Sequence, residues 1–430
     1  MKISALYGSC AAMLTAALVA SAGHAQDKQA SAAGMQVAQA PAAQPPVGPV
    51  NPDDPYAAQG IRLGGFILLP ELKIGETYDD NIFRDSSSTK SDFITTVRPE
   101  AALKSNWNNH MLNFVAAAEH GLYASHDDED YTDVFLGTDG RIDIQRSTNI
   151  TAALNHTFGH EDRGSPDDAN GVEPADTQIT NGRLAFAHTF NRLKVSPYAL
   201  WSRYDYDDVR TAAGANVNND DRDNDVLKGG LRADYDIHPD FDVFVEGIYN
   251  TVGYSDARDD QGRDRDSHGW EGRVGATLGL TNLITGEAFV GYLSQEMDDA
   301  AFSDISGPSF GAGIKWEITR LTTIGFNAAR TVQQTTTTNS SGILQTGAEA
   351  TVRHELLRNL ILDGALKYTV NEYEGISRED DLYEVGIGAL YKLNRYVGVG
   401  ARYRHLERAS DVNTADYSAN VATINLVLQY

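Results

Sequence analysis

The stretch VATINLVLQY, residues 421–430, places apolar side chains at every second position: Ala422, Ile424, Leu426 and Leu428. It ends on an aromatic, Tyr430. Alternation at period 2 separates the two faces of a β-strand, and here one whole face is apolar. An edge strand of a soluble sheet satisfies this pattern. So does the closing strand of a membrane barrel, whose aromatic end sits at the bilayer interface. The remainder of the chain has to discriminate between them.

Moving towards the N-terminus, short polar turns recur about every 40 residues, at the scale of one strand pair with its outer loop. They are SNWNNH (105–110), RSTN (146–149), FNRL (190–193), HPDF (238–241), TNLITG (281–286), TRLT (319–322), LRNL (357–360) and LNRY (393–396). Nine longer, acidic connections alternate with these eight turns, which predicts an all-β, antiparallel, up-and-down barrel of about 18 strands (16 to 20). The segments between turns alternate accordingly. Leu227, Leu231, Tyr235 and Ile237 share one face, and Lys228, Arg232, Asp234 and Asp236 the other. Val274, Ala276, Leu278 and Leu280 oppose Glu271, Arg273 and Thr277; Tyr383, Val385, Ile387, Ala389, Tyr391 and Leu393 oppose Glu384 and Lys392. Alternation by itself suits a soluble sandwich or propeller equally well. An unbroken run of hairpins from Gly60 to Tyr430 is too long for one sandwich, whereas closure into a barrel removes every exposed edge. Aromatics near the segment ends are expected to form the interfacial girdle: Tyr78, Phe83, Trp107, Tyr123, Tyr131, Phe190, Tyr254, Trp270, Tyr373, Tyr396 and Tyr417.

The N-terminus reads as an export address. Lys2 precedes the apolar run CAAMLTAALVA (10–20) and small residues suited to signal peptidase, so residues 1–25 are expected to be a signal peptide. That run is too short for a membrane-spanning helix, which needs about 20 residues. Residues 26–59, rich in Ala, Gln and Pro and without periodicity, read as a flexible periplasmic leader, and 60–430 as the barrel. The lone cysteine, Cys10, lies in the signal, with the apolar region after it and not before it as lipidation requires. Disulfides and cysteine-ligated metals are therefore excluded from the mature chain.

The formal charge is −25 and is concentrated in the long connections, for example Asp127 to Asp130, Asp220 to Asp225 and Asp256 to Asp266. Calcium loops need ligands at fixed spacing, which DARDDQGRDRD (256–266) only partly meets. No metal and no cofactor is expected. Solvated loop charge, repelling anions from the mouth at long range, accounts for the pattern.

Two segments point to a family. LPELKIGETYDDNIFRD (69–85) and SDFITTVRPEAALKSNW (91–107) resemble the start of the type 2 family of outer-membrane β-barrel porins of alphaproteobacteria. Tyr78, Asp79, Asp80, Asn81, Ile82 and Phe83 stand at its first-loop motif, Ile94, Val97 and Pro99 at its second strand, and Tyr235-Asp236-Ile237-His238-Pro239 is similar to a later turn. The resemblance covers about residues 60 to 430. It implies location in the bacterial outer membrane and a link to exopolysaccharide production. The C-terminal segment is in turn similar to the signal read by the barrel assembly machinery, with Ile424, Leu426, Leu428 and Tyr430 as its residues.

Catalytic arrangements are sparse. His156, His160, Glu161 and Asp162 cluster at a strand-to-loop junction, and His126-Asp127-Asp128 could polarise a water. No Ser-His-Asp or His-Glu-x-x-His set accompanies them, so no enzyme is expected. No plug domain of the kind found in TonB-dependent transporters is expected before the barrel either. A barrel of this size has an aqueous lumen unless something fills it, and loops 158–178 and 206–225 are long enough to fold inward. The lumen-lining candidates are Lys228, Arg232, Arg273, Lys315, Arg353, Lys367, Lys392, Arg402 and Arg404 with Glu271, Glu349 and Glu384. Basic residues crowd the last five strands, where they either select anionic or sugar solutes or merely pair with the acids. Three functions fit: an exit channel for exopolysaccharide, a passive porin for small hydrophilic solutes, and a structural or adhesive barrel. Aromatic platforms in the lumen would favour the first, but the register of residues 193–206 leaves the direction of Tyr198 and Tyr204 open. Expected partners are outer-membrane lipid and lipopolysaccharide, the barrel assembly machinery and periplasmic polysaccharide-export proteins. Nucleic acid is not among them.

Overall fold

The computed structural model describes residues 55–168, 171–279 and 283–430. The expected signal peptide and most of the leader lie outside these residues. Eighteen long strands form the wall: β1 Phe66–Asp79, β2 Asp92–Ser105, β3 Met111–Tyr123, β4 Tyr131–Gln145, β5 Thr148–His160, β6 Asp176–Phe190, β7 Leu193–Tyr206, β8 Asn224–His238 and β9 Phe241–Tyr254. They continue with β10 Ser267–Leu278, β11 Ile284–Met297, β12 Ile305–Thr319, β13 Thr322–Gln333, β14 Gly342–Leu357, β15 Leu360–Glu374, β16 Arg378–Lys392, β17 Val397–Ser410 and β18 Tyr417–Gln429. Each pairs antiparallel with the next. β18 returns to β1 with Leu426 opposite Ile74 and Ile424 opposite Glu76, so the sheet closes. Below the end of β18, Ile61–Leu63 continues that edge along β1, and the Gly60 N–H donates to the Tyr430 carbonyl at 3.0 Å. The chain is an all-β, closed antiparallel barrel of 18 strands.

The eight short turns fall at one end of the barrel, as the sequence predicts. Four register irregularities, at Asp143/Gln145, Asp236/His238, Glu317/Thr319 and Glu355/Leu357, each sit beside a two-residue turn at this end. A bulge there adds the local twist that a tight hairpin needs. At the other end, eight of the nine connections are loops of some length. The ninth, residues 375–377, is a tight turn, and Gly375 takes φ +92° to make it.

The two faces separate as period 2 requires. Val245, Val274, Val290, Ile387 and Ile424 stand exposed on the outer wall, Ile424 at 64 %, whereas Arg232 on the inner wall is 2 % exposed. A wall in hydrocarbon must show such a face, because no water is there to solvate polar atoms. The polar residues on the outer face pair with one another: Thr95 Oγ1 donates to Glu76 at 2.8 Å, and His120 and His156 hydrogen-bond Thr132 and Thr180 at 2.9 and 2.7 Å. Outward aromatics gather at both ends. Phe66 meets Trp107 and Tyr396 stacks on Tyr430 at the short-turn end; Tyr78 meets Phe93 and Tyr368 meets Tyr383 at the other. The expected girdle is only partly right, however. Tyr373 (3 % exposed) and Tyr417 (5 %) are buried inside, and Tyr131 and Tyr254 bond interior partners, Glu119 and Gln334. Each of these four has inward parity on its strand, which proximity to a strand end does not reveal.

The exposed apolar face of β18 and the stacking of Tyr430 on Tyr396 make the C-terminus part of the lipid-facing wall. Replacing Leu426 and Leu428 by Asp places charge in hydrocarbon, at a cost per site somewhat below the about 2–4 kcal/mol of a basic residue at mid-bilayer. The double variant is expected to lose heat-modifiable migration on gels, and retention of that migration would contradict the assignment.

Candidate functional site

Period 2 fixes which side chains reach the lumen, and all twelve charged candidates have inward parity. Their surroundings then decide what they can do. Arg232 on β8 donates to Asp234 at 2.8 Å and to Glu287 of β11 at 2.8 Å, and lies 3.6 Å from the ring centroid of Phe244. Arg273 on β10 holds Glu271 at 2.7 Å and Glu246 at 3.3 Å over the ring of Phe289, while the Tyr198 hydroxyl donates to Glu246 at 2.7 Å. Charge-assisted bonds and a π-face beneath the guanidinium are what make buried arginine tolerable. Farther round, Arg402 donates to Asp363 at 2.5 Å, Arg404 lies 3.7 Å from Glu384, and Lys315 bonds Glu317 at 2.6 Å. Lys367 stands in register between Glu349 and Glu384, and Arg353 opposite Asp363. Lys392 is buried near the short-turn end, and Lys228 lines the cavity described next. The basic residues of the last five strands are thus largely met by acids, so they do not form an uncompensated positive wall.

Between these ion pairs and the long-loop end lies a cavity of about 210 Å³ lined by uncharged polar groups together with apolar residues and the charged Glu161, Asp167, Arg222, Lys228, Glu271 and Arg273. Asn181, Ser202, Asn250, Gln295, Gln345, Thr369 and Asn371 contribute, together with Tyr204 and Tyr206. Many bond each other: Ser202 donates to Asn181 at 2.7 Å, Asn181 to Asn155 at 3.1 Å, and Gln345 to Asn371 at 2.8 Å. The Asn224 Oδ1 atom beside them is buried and has no hydrogen-bond partner. The ambiguity over residues 193–206 is resolved here, with Tyr198, Tyr204 and Tyr206 all on the inward face of β7.

The segment Glu161–Asp168, following β5, folds over this cavity and is tied to walls all around the mouth. Glu161 accepts two bonds from Arg222, at 2.9 and 2.6 Å, and Arg222 lies 4.0 Å from the Tyr206 ring centroid. Arg163 pairs with the buried Glu129 of the β3–β4 loop. The Gly164 carbonyl accepts from Arg408 of β17 at 2.8 Å. Asp167 accepts from Thr335 and Thr337, between β13 and β14, at 2.6 and 3.0 Å. Gly164 has φ +78°, and a Cβ there would sit 2.9 Å from the Arg84 side chain, so the crossing needs glycine. Burial works against the Arg222 charge, but Glu161 more than offsets it and the guanidinium pKa is raised.

Sequence reasoning anticipated an inward loop but assigned its residues differently. Glu161 is the anchor for Arg222, and His160 bonds Asp133 at 2.9 Å. His156 is on the outer face, and His126 bonds Asp92 at 2.7 Å. No group of side chains suited to a metal ion occurs among the described residues. In the calcium-like loop the place of a cation is taken by the chain itself. Arg265 is buried against Asp259 at 2.8 Å and donates to the carbonyls of Thr335 and Ser340 at 2.7 and 3.1 Å. The one signal available beforehand was the presence of arginines, among them 163, 222 and 265, in otherwise acidic loops.

Two expectations follow from the mouth. Glu161→Gln leaves Arg222 buried without its carboxylate, and losing one partner of such a pair costs about 3–5 kcal/mol. Segment 161–168 should then leave the cavity, and conductance in planar bilayers should rise well above that of the unaltered protein; unchanged conductance would count against the latch. The second expectation concerns pH. Burial pushes the Asp223 carboxyl up to about 6; the 2.8 Å bond from the Tyr206 N–H opposes this, and Asp205 and Asp220 add to it. A folded-state pKa above the usual 3.8 means that the folded loop holds the proton more tightly than the unfolded one. This contribution to stability is full below that usual value and is lost as pH rises through about 6. Hydrogen exchange in 207–223, corrected for its intrinsic rate, should therefore be slower at pH 5 than at pH 7.5. Asp223→Asn should abolish the difference.

Solved structures with similar folds include OccK3 (OpdO) of Pseudomonas aeruginosa, 13% identical at a TM-score of 0.41, with 84% of this chain and 95% of that one covered. OpdL of the same organism is 14% identical at a TM-score of 0.43, covering 85% and 99%. The copper transporter OprC is 10% identical at 0.46, covering 86% and 82%. Among proteins of curated function none matches this chain. The family model described as "Putative beta-barrel porin 2" matches residues 54–430. With its closed 18-strand wall and polar lumen, the chain belongs to that porin family.

Proposed function

We propose that this porin-like outer-membrane channel carries neutral, polyhydroxylated solutes, in the form of an exit path for a polysaccharide strand, and that segment 161–168 closes it at rest. In this reading the short turns face the periplasm and the acidic loops face outward, and no chemistry is assigned to the protein. The observation that carries it is the inward stand of Tyr198, Tyr204 and Tyr206 beside a band of amides and hydroxyls. Channel selectivity follows from the groups that line the path. Here amides and hydroxyls offer paired donors and acceptors beside the Tyr204 ring, a complement to sugar hydroxyls and ring faces, and the charged residues of the surrounding wall, Lys228, Glu271 and Arg273, are of both signs. The compensation of lumen arginines by acids supports the same choice. The latch over the cavity favours a conduit opened for its cargo over a permanently open diffusion pore.

The test uses the Glu161→Gln channel in planar bilayers with a neutral linear oligosaccharide added to one side. Reversible interruption of the current is expected. Tyr204→Ala should raise the half-blocking concentration about fivefold, equivalent to about 1 kcal/mol for one aromatic contact. Block by sulfate with no response to the oligosaccharide would overturn the reading.

A further inference from the structure

Arginines are distributed unlike acids in this chain. Five of the eight short turns carry one: Arg146, Arg192, Arg320, Arg358 and Arg395. Four are exposed and Arg395 is half-exposed, and among the described residues none has a side-chain hydrogen bond or ion pair. At the long-loop end most arginines are held by the protein: Arg84, Arg163, Arg222 and Arg265 by the carboxylates of Asp79, Glu129, Glu161 and Asp259, and Arg258 and Arg263 by the Gly262 carbonyl and the Asn339 amide oxygen, with Arg210 the exception. Each unpaired arginine also borders the exposed apolar wall. Ile318 and Leu321 flank Arg320, Leu356 and Leu357 precede Arg358, and Leu393 and Tyr396 surround Arg395. These last three turns follow one another around the barrel, two strands apart, or roughly 10 Å. A guanidinium just beyond an apolar belt, unpaired by the protein, stands at the depth of lipid phosphates, and its planar fork suits phosphate oxygens.

We infer that this rim is a binding surface for anionic phospholipid, the guanidinia of Arg320, Arg358 and Arg395 taking headgroup phosphates of the leaflet at the short-turn end. The inference rests on the membrane-barrel reading and is independent of the cargo. It gives the two ends of the barrel different electrostatic partners: lipid phosphate at one, solvent at the other.

The experiment reconstitutes the full chain in nanodiscs of phosphatidylcholine alone or mixed equally with phosphatidylglycerol, and counts lipids co-released with the protein by native mass spectrometry. Phosphatidylglycerol should be enriched over phosphatidylcholine on the unaltered chain. Each Arg→Gln change at 320, 358 or 395 should reduce that enrichment roughly fivefold, the ratio that corresponds to about 1 kcal/mol per basic residue near a charged surface. Arg→Lys should keep most of it, and Arg258→Gln at the long-loop end should change nothing. Enrichment that is absent, or equal in all variants, would overturn the proposal. So would variants that keep phosphatidylglycerol but lose a soluble periplasmic protein, since the rim would then be a protein-docking surface. Heat-modifiable migration in pure phosphatidylcholine reports the barrel separately: its loss in the unaltered chain would undo the membrane reading, whereas its presence without lipid enrichment would undo only the inference. Single variants are scored individually so that one poorly folded protein does not decide the result.

Discussion

Everything in this structure depends on the pairing of β18 with β1. In hydrocarbon an unpaired backbone N–H or C=O costs several kcal/mol, so a sheet that crosses a bilayer must have no edge. Nine residue pairs, from Glu71 with Gln429 to Asp79 with Val421, provide that closure. Once the sheet is closed, the parity of each strand is fixed, because a slip of one residue would turn an entire apolar face into the lumen. The outer face of Val245, Val274 and Val290 and the inner face of Glu246, Arg273 and Phe289 are two readings of one constraint.

Closure also explains why the interior is charged and still quiet. The inward face cannot be apolar throughout, since water enters from both ends, yet charges held near one another in a confined space must find partners. Arg232 and Arg273 each meet two carboxylates and one aromatic ring. The outcome is a wall in which positive residues are structural ties, some along one strand, as Arg273 with Glu271, and others across several, as Arg232 of β8 with Glu287 of β11. The open space between these ties is lined by charges of both signs together with Tyr204 and the amides.

The fold was legible because its signals are local. Alternation within 421–430 and two-residue turns such as Arg358-Asn359 need no knowledge of distant residues, and together they specify strand, turn and count. The tight turn at 375–377 was misread as a longer loop because its acidic flanks, Glu372 to Asp381, look like loop sequence although they belong to β15 and β16. Tyr373 and Tyr417 were assigned to the girdle because height along a strand is visible in sequence while facing depends on a register one residue wide. The mouth was least legible. Glu161 meets Arg222 across 61 positions and Gly164 meets Arg408 across 244, and no spacing rule connects residues so far apart. Charge composition marked those loops as acidic, but it did not show that Arg163, Arg222 and Arg265 were each bound to a particular carboxylate.

Arg265 gives the mouth one further property. Acidic loops that are ordered by a bound divalent ion lose that order when a chelator takes the ion away. Here the positive centre is covalently part of the chain, held between Asp259 and two backbone carbonyls of the neighbouring 334–341 loop. The ordering cation of this part of the entrance is therefore one that no chelator can remove.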